Sequence, residues 1–93
     1  MSLLLPSSIT LPQAGQVLEQ LRAAMRAQAQ GPLVVDASAL QALDSSALAV
    51  LLQCRREARA SSRDLQISGA PDKLLKLMQL YGVSEILPQR PFM

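Results

Sequence analysis

The segment LDSSALAVLL, residues 43–52, sets three small polar groups, Asp44, Ser45 and Ser46, directly against six apolar residues. Side-chain oxygens at such a junction cap a helix, because they accept from backbone N–H groups that the first turn leaves unpaired. Ala47 to Leu52 cover every direction around a helix, so this helix is either buried on all sides or waits in part for a partner. Leu48, Leu51 and Leu52 share an arc that can face a sheet. Ala49 and Val50 then lie nearer the other side, where small side chains permit a partner's close approach.

Few other residues offer chemistry. The chain has no histidine and one cysteine, so a zinc site, a His-based triad and an internal disulfide are not expected. Cys54 falls on a helical stripe with Ala47 and Ala58 and reads as a packed core thiol. Asp44 is a possible general base, but no second carboxylate accompanies it in the motif, and a non-enzymatic protein without metal or cofactor is the expectation. Arg55, Arg56 and Arg59 read as a solvated helix face. Arg55 and Arg59 are four apart beside Glu57, and no phosphate-binding glycine loop is present.

Patterning supplies the elements that position this motif. Leu3, Leu4 and Leu5 read as a brief strand stopped by Pro6 and a PSS turn. Thr10 and Gln13 match a capping box, predicting a helix from near Leu11 to about Gln28, with Val17, Leu18, Leu21, Ala24, Met25 and Gln28 inward and Gln20, Arg22 and Arg26 in water. Gly31 and Pro32 break it. Leu33, Val34 and Val35 read as a strand buried on both faces, ending at Asp36, and ASALQAL as a connection. The motif helix should run from about Ser45 to Ala60, followed by a strand at Leu65–Ser68 closed by Gly69.

Pro71 fits the first turn of a third helix carrying Leu74, Leu77, Met78 and Tyr81, with Gly82 as its C-terminal cap. Ser84 to Leu87 can add one helical turn before a tail expected to be loose from about residue 88 to 93. Strands alternating with helices indicate a small α/β layer of parallel strands joined by crossovers. In such folds the functional surface tends to lie at the carboxyl ends of the strands, where the DSS segment falls.

Composition bounds the rest. At 93 residues and 49% apolar content, one compact domain spanning 1–93 is expected. A net charge of +2 and two aromatic residues argue against nucleic-acid binding. The longest apolar run is far short of the roughly 20 residues that span a bilayer. MSLLLPSSIT lacks the basic start of a secretory signal. The expected location is the cytoplasm.

A strand ending LVVDAS, a short connection and then LDSSALAVLLQCRREA resembles the core signature of STAS domains. That family includes cytoplasmic domains of sulfate transporters and bacterial anti-sigma-factor antagonists. The likeness continues through LQISGAPDKLLKLMQLYGVSEIL. It departs from the usual pattern in having Ala47 where glycine follows the serine pair, and one N-terminal strand of longer STAS domains is missing. The short length, Leu80-Tyr81-Gly82-Val83 and Ile86-Leu87-Pro88 look more like MlaB-type subunits of the Mla phospholipid-transport ABC complex.

The resemblance implies a STAS-like α/β fold, a short, mostly parallel sheet with three to four helices. It also implies a protein-interaction module that binds the ABC-type ATPase of such a transporter at the inner face of the inner membrane. Asp44, Ser45, Ser46, Ala49 and Val50 would form the partner-binding corner. The alternative it implies is an anti-sigma-factor antagonist phosphorylated at Ser45 by an anti-sigma serine kinase.

Overall fold

The computed structural model describes residues 2–28 and 31–88. Strand β1 (Ser2–Leu4) and the short β2 (Ser8–Ile9) lead into helix α1 (Leu11–Ala27). Strand β3 (Leu33–Asp36) and the short β4 (Ala42–Leu43) lead into helix α2 (Ser45–Ala60), and β5 (Leu65–Ser68) into α3 (Asp72–Leu80). Both expected long helices therefore sit within a residue or so of their predicted ends. Pro71 stands just ahead of α3 and not inside it, its carbonyl taking the Leu75 N–H.

The strands form a three-stranded parallel sheet in the order β1-β3-β5, with Leu3 opposite Val35 and Val35 opposite Ile67. Parallel neighbours need crossovers, and α1 and α2 supply them. Alternation along the strands sends Leu3, Leu5, Leu33, Val35, Leu65 and Ile67 into one core with Val17 and Leu21 of α1, Leu48, Leu51 and Cys54 of α2, and Leu74 and Met78 of α3. Val34 is buried as well, but apart from that cluster, while Leu4 stays exposed.

A second sheet was not foreseen. β2 and β4 pair in parallel, Ser8 with Ala42 and Ile9 with Leu43, where the sequence suggested a turn and a plain connection. Two-residue strands carry no periodicity of their own. They exist because the Ser7 carbonyl accepts from the Gln41 and Ala42 N–H groups and buried Ile9 and Leu43 anchor them.

Helix ends show how local chemistry fixes the frame. After α3, Gly82 adopts φ 69° while the Val83 N–H reaches the Met78 carbonyl and the Gly82 N–H that of Gln79, so it terminates the helix as expected. Val83 then starts a single turn, its carbonyl accepting from Ile86 and Leu87, and Leu87 is fully buried. Of the expected loose tail, residues 89–93 lie outside the described residues.

α2 ends in the same geometry, but there Ser62 holds the left-handed position, at φ 57°. An L-residue is disfavoured in that conformation. Ser62→Gly should therefore stabilise the protein by about 0.5–1 kcal/mol net of glycine's greater entropy in the unfolded chain, read as a thermal midpoint a few degrees higher. An unchanged or lower midpoint would contradict the assignment.

Candidate functional site

The site is built where α1 and α2 begin side by side. Asp44 is the N-cap of α2: its Oδ1 accepts from the Ser46 N–H at 2.9 Å and from the Ser46 hydroxyl. Its Oδ2 accepts from the Leu11 N–H, the first residue of α1, at 3.2 Å. The Asp44 backbone N–H donates to the Ile9 carbonyl at 3.3 Å. The start of α1 has its own cap, with Gln13 Oε1 taking the Thr10 N–H and the hydroxyls of Thr10 and Ser8. The expected Thr10–Gln13 capping box thus forms, with the Thr10 hydroxyl also donating to Gln13 Oε1.

These bonds set the electrostatics. The Ser46 hydroxyl and N–H, then the Leu11 N–H, hold the Asp44 carboxyl below the usual carboxylate range, with Lys73 adding a smaller pull. Asp36, at the carboxyl end of β3, is lowered by the Ser38 hydroxyl and N–H. Ser45 is exposed, and among the described residues its hydroxyl makes no hydrogen bond.

Between the two helices runs a groove of about 500 Å³ lined by Leu11, Ala14, Gly15 and Leu18 from α1 and Ser46, Ala49, Val50 and Gln53 from α2. Its far end is closed by Arg22, whose Nε and Nη2 bind Glu57 at 2.7–3.1 Å while Nη1 meets Glu19. Gln53 steadies the same Glu57 at 2.9 Å. Arg22 was expected in water; it is half-buried because the guanidinium bridges the helices. Glu57 is held low by Arg22 and then by Gln53.

Of the expected corner, Asp44, Ser45 and Ala49 are exposed and Ser46 is half-buried. Val50 corrects the sequence reading. It is only 3% exposed and belongs to the core, so it can serve as the floor of the groove and not as its outer wall. Leu52, expected against the sheet, is partly buried and packs against the core. α2 has two packing surfaces, the sheet and α1, and the second draws Val50 inward.

Leu11, Gly15 and Gln53 were not singled out from the sequence. Leu11, Ala14, Gly15 and Leu18 recur at i, i+3, i+4 and i+7, the one signal able to reveal them. Cys54 is the packed thiol expected, fully buried, and burial pushes its pKa up to about 11.

Three lowered carboxyls give the fold a pH signature. Each binds its proton more weakly folded than unfolded, so its contribution is present above the unfolded value near 4 and is lost as pH falls through the folded value. The thermal midpoint should stay nearly level from about pH 7 to 5 and drop steeply below about pH 4. A Glu57→Gln variant should drop less over that interval, and an equal drop would remove Glu57 from the account.

No curated protein matches this chain. A solved structure described as a putative anti-sigma factor antagonist from Thermotoga maritima shares the fold, with a TM-score of 0.80 and 12% identity over 96% of this chain and 77% of that one. The family model described as "Mlab, STAS domain" matches residues 1–88. With a parallel sheet whose central strand ends in Asp36 and a DSS cap opening α2, the chain belongs to the MlaB-type family of STAS domains.

Proposed function

We propose that this STAS domain is the cytoplasmic accessory subunit of an Mla-type phospholipid ABC transporter, the system that maintains outer-membrane lipid asymmetry. In this reading it docks on the ATPase through the DSS corner and the α1–α2 groove. One observation carries the docking site: the corner bearing the family motif opens onto a groove that the fold itself leaves unfilled. Gly15 supports it. A Cβ built there meets nothing within 4 Å, so the fold does not need glycine in mid-helix, where it costs about 0.5–1 kcal/mol relative to alanine. Close approach of a partner's backbone is a use for it.

The module acts by binding alone, as one domain over 1–93, with no cofactor and no nucleic acid. Among the described residues no helix is long and apolar enough to cross a membrane, so contact with the bilayer would run through the transporter.

A second reading has its own support. The Ser45 hydroxyl, exposed and unbonded at the start of α2, is accessible to a kinase as the Ser46 hydroxyl, engaged by Asp44, is not. On that reading the domain is an anti-sigma-factor antagonist switched by phosphorylation of Ser45, which would add about −1.5 to −2 charge at the docking face. Capture of the tagged protein from its own cells, with mass spectrometry of what copurifies, separates the two. An ABC-type ATPase with its permease is the expected result. Recovery of a serine kinase with phosphate on Ser45 would overturn it in favour of the switch.

A further inference from the structure

We infer that Asp44 is a positioning residue of the groove: its two carboxylate oxygens hold the first turn of α1 against the first turn of α2 and so set the groove's width. This rests on the docking reading above. Capping α2 alone would not need a carboxylate, since serine, threonine or asparagine serves an N-cap as well. The second oxygen is what the geometry uses: Oδ1 is occupied by the Ser46 N–H and hydroxyl, and Oδ2 takes the Leu11 N–H of a helix 33 residues away.

The groove walls, Leu11 to Leu18 on one side and Ser46 to Gln53 on the other, start at these two capped turns. At the opposite end the Arg22–Glu57 pair does the same work. Asp44 and this pair are the polar ties between the two capped helices among the described residues, one at each end of the groove. Charge-assisted bonds of this kind fix geometry as well as adding stability. An asparagine at 44 offers one acceptor oxygen and an NH2 group, which cannot accept from the second N–H.

Three variants isolate the tie. Leu11→Pro removes the donor N–H, with Leu11→Ala as the control for the lost leucine side chain; the φ that proline fixes is the one a first helical position adopts. Asp44→Ser keeps a cap for α2 but is too short to reach Leu11. Methyl NMR of the free protein should show Ala14, Leu18, Ala49 and Val50 shifted in Leu11→Pro and Asp44→Ser relative to Leu11→Ala and wild type. Leu33, Val35 and Ile67 should stay in place, which a general loss of stability would not produce.

Binding to the purified ATPase should fall about tenfold from Leu11→Ala to Leu11→Pro. Unmoved groove methyls, or equal binding by Leu11→Pro and Leu11→Ala, would overturn the inference. If the groove methyls move but the wild-type chain binds no ATPase, the positioning role stands and the docking reading falls.

Discussion

Ser45→Glu is expected to abolish capture of the ATPase while leaving the thermal midpoint within a few degrees of wild type. Ser45 is the first residue of α2, exposed, with a hydroxyl that bonds to nothing among the described residues, so the fold loses no side-chain hydrogen bond when it is replaced. A glutamate in a first turn is favoured by the helix dipole, which offsets part of its repulsion with Asp44 next to it. A partner seated over Ser45, Ala49 and Gly15 would instead have to bury an unpaired carboxylate. Such a penalty at an interface is about 2–5 kcal/mol, a loss in affinity of roughly 30-fold to several thousand-fold. Ser45→Ala sharpens the test, because a docking face tolerates it, whereas a phosphorylation switch becomes insensitive to its kinase. Full binding by Ser45→Glu would take Ser45 out of the interface.

What the sequence made legible follows from how local each signal was. α1 and α2 are bounded by Thr10, Asp44, Gly31 and Pro32, and β3 and β5 by the breaks around them, so capping and periodicity place them without tertiary help. β2 and β4 escaped because each is made by its partner about 34 residues away, with nothing in either dipeptide to announce it. The site was legible in part for the same reason. Asp44 as a cap is a local pattern, but its bond to Leu11 is a product of the fold. Val50 turned inward because a wheel drawn for one buried face cannot anticipate a helix packed against both a sheet and another helix. Arg22 is half-buried for the same cause, its partner Glu57 lying on the facing helix.

Gly69→Ala should destabilise the protein by about 2–4 kcal/mol without harming the docking face. Gly69 follows β5 in the left-handed conformation, at φ 65°, which costs an alanine roughly 1 kcal/mol or more. A Cβ there also falls 2.9 Å from Ser38 Cβ and 3.3 Å from the Ser38 Cα and N, contacts too short to keep. Ser38 has little room to yield. Its N–H is tied to Asp36 Oδ1 at 2.9 Å, and the Ala37 N–H just before it to the Ser68 carbonyl at 2.8 Å. The loops leaving β3 and β5 are thus pinned together, and the added methyl must part them. For a domain of this size the thermal midpoint should fall by about 10–25 °C.

A Ser38→Gly background removes the closest contact while leaving the left-handed strain, so Gly69→Ala should cost at least about 1 kcal/mol less there. Equal costs in both backgrounds would show that no clash occurs. Gly69 lines none of the groove, so at a temperature where it is folded this variant should capture the ATPase as wild type does. The two substitutions would then have opposite effects: Ser45→Glu folds without binding, and Gly69→Ala binds once folded. A Gly69→Ala protein that is folded but fails to bind would instead extend the interface from the groove to the β3 and β5 loops.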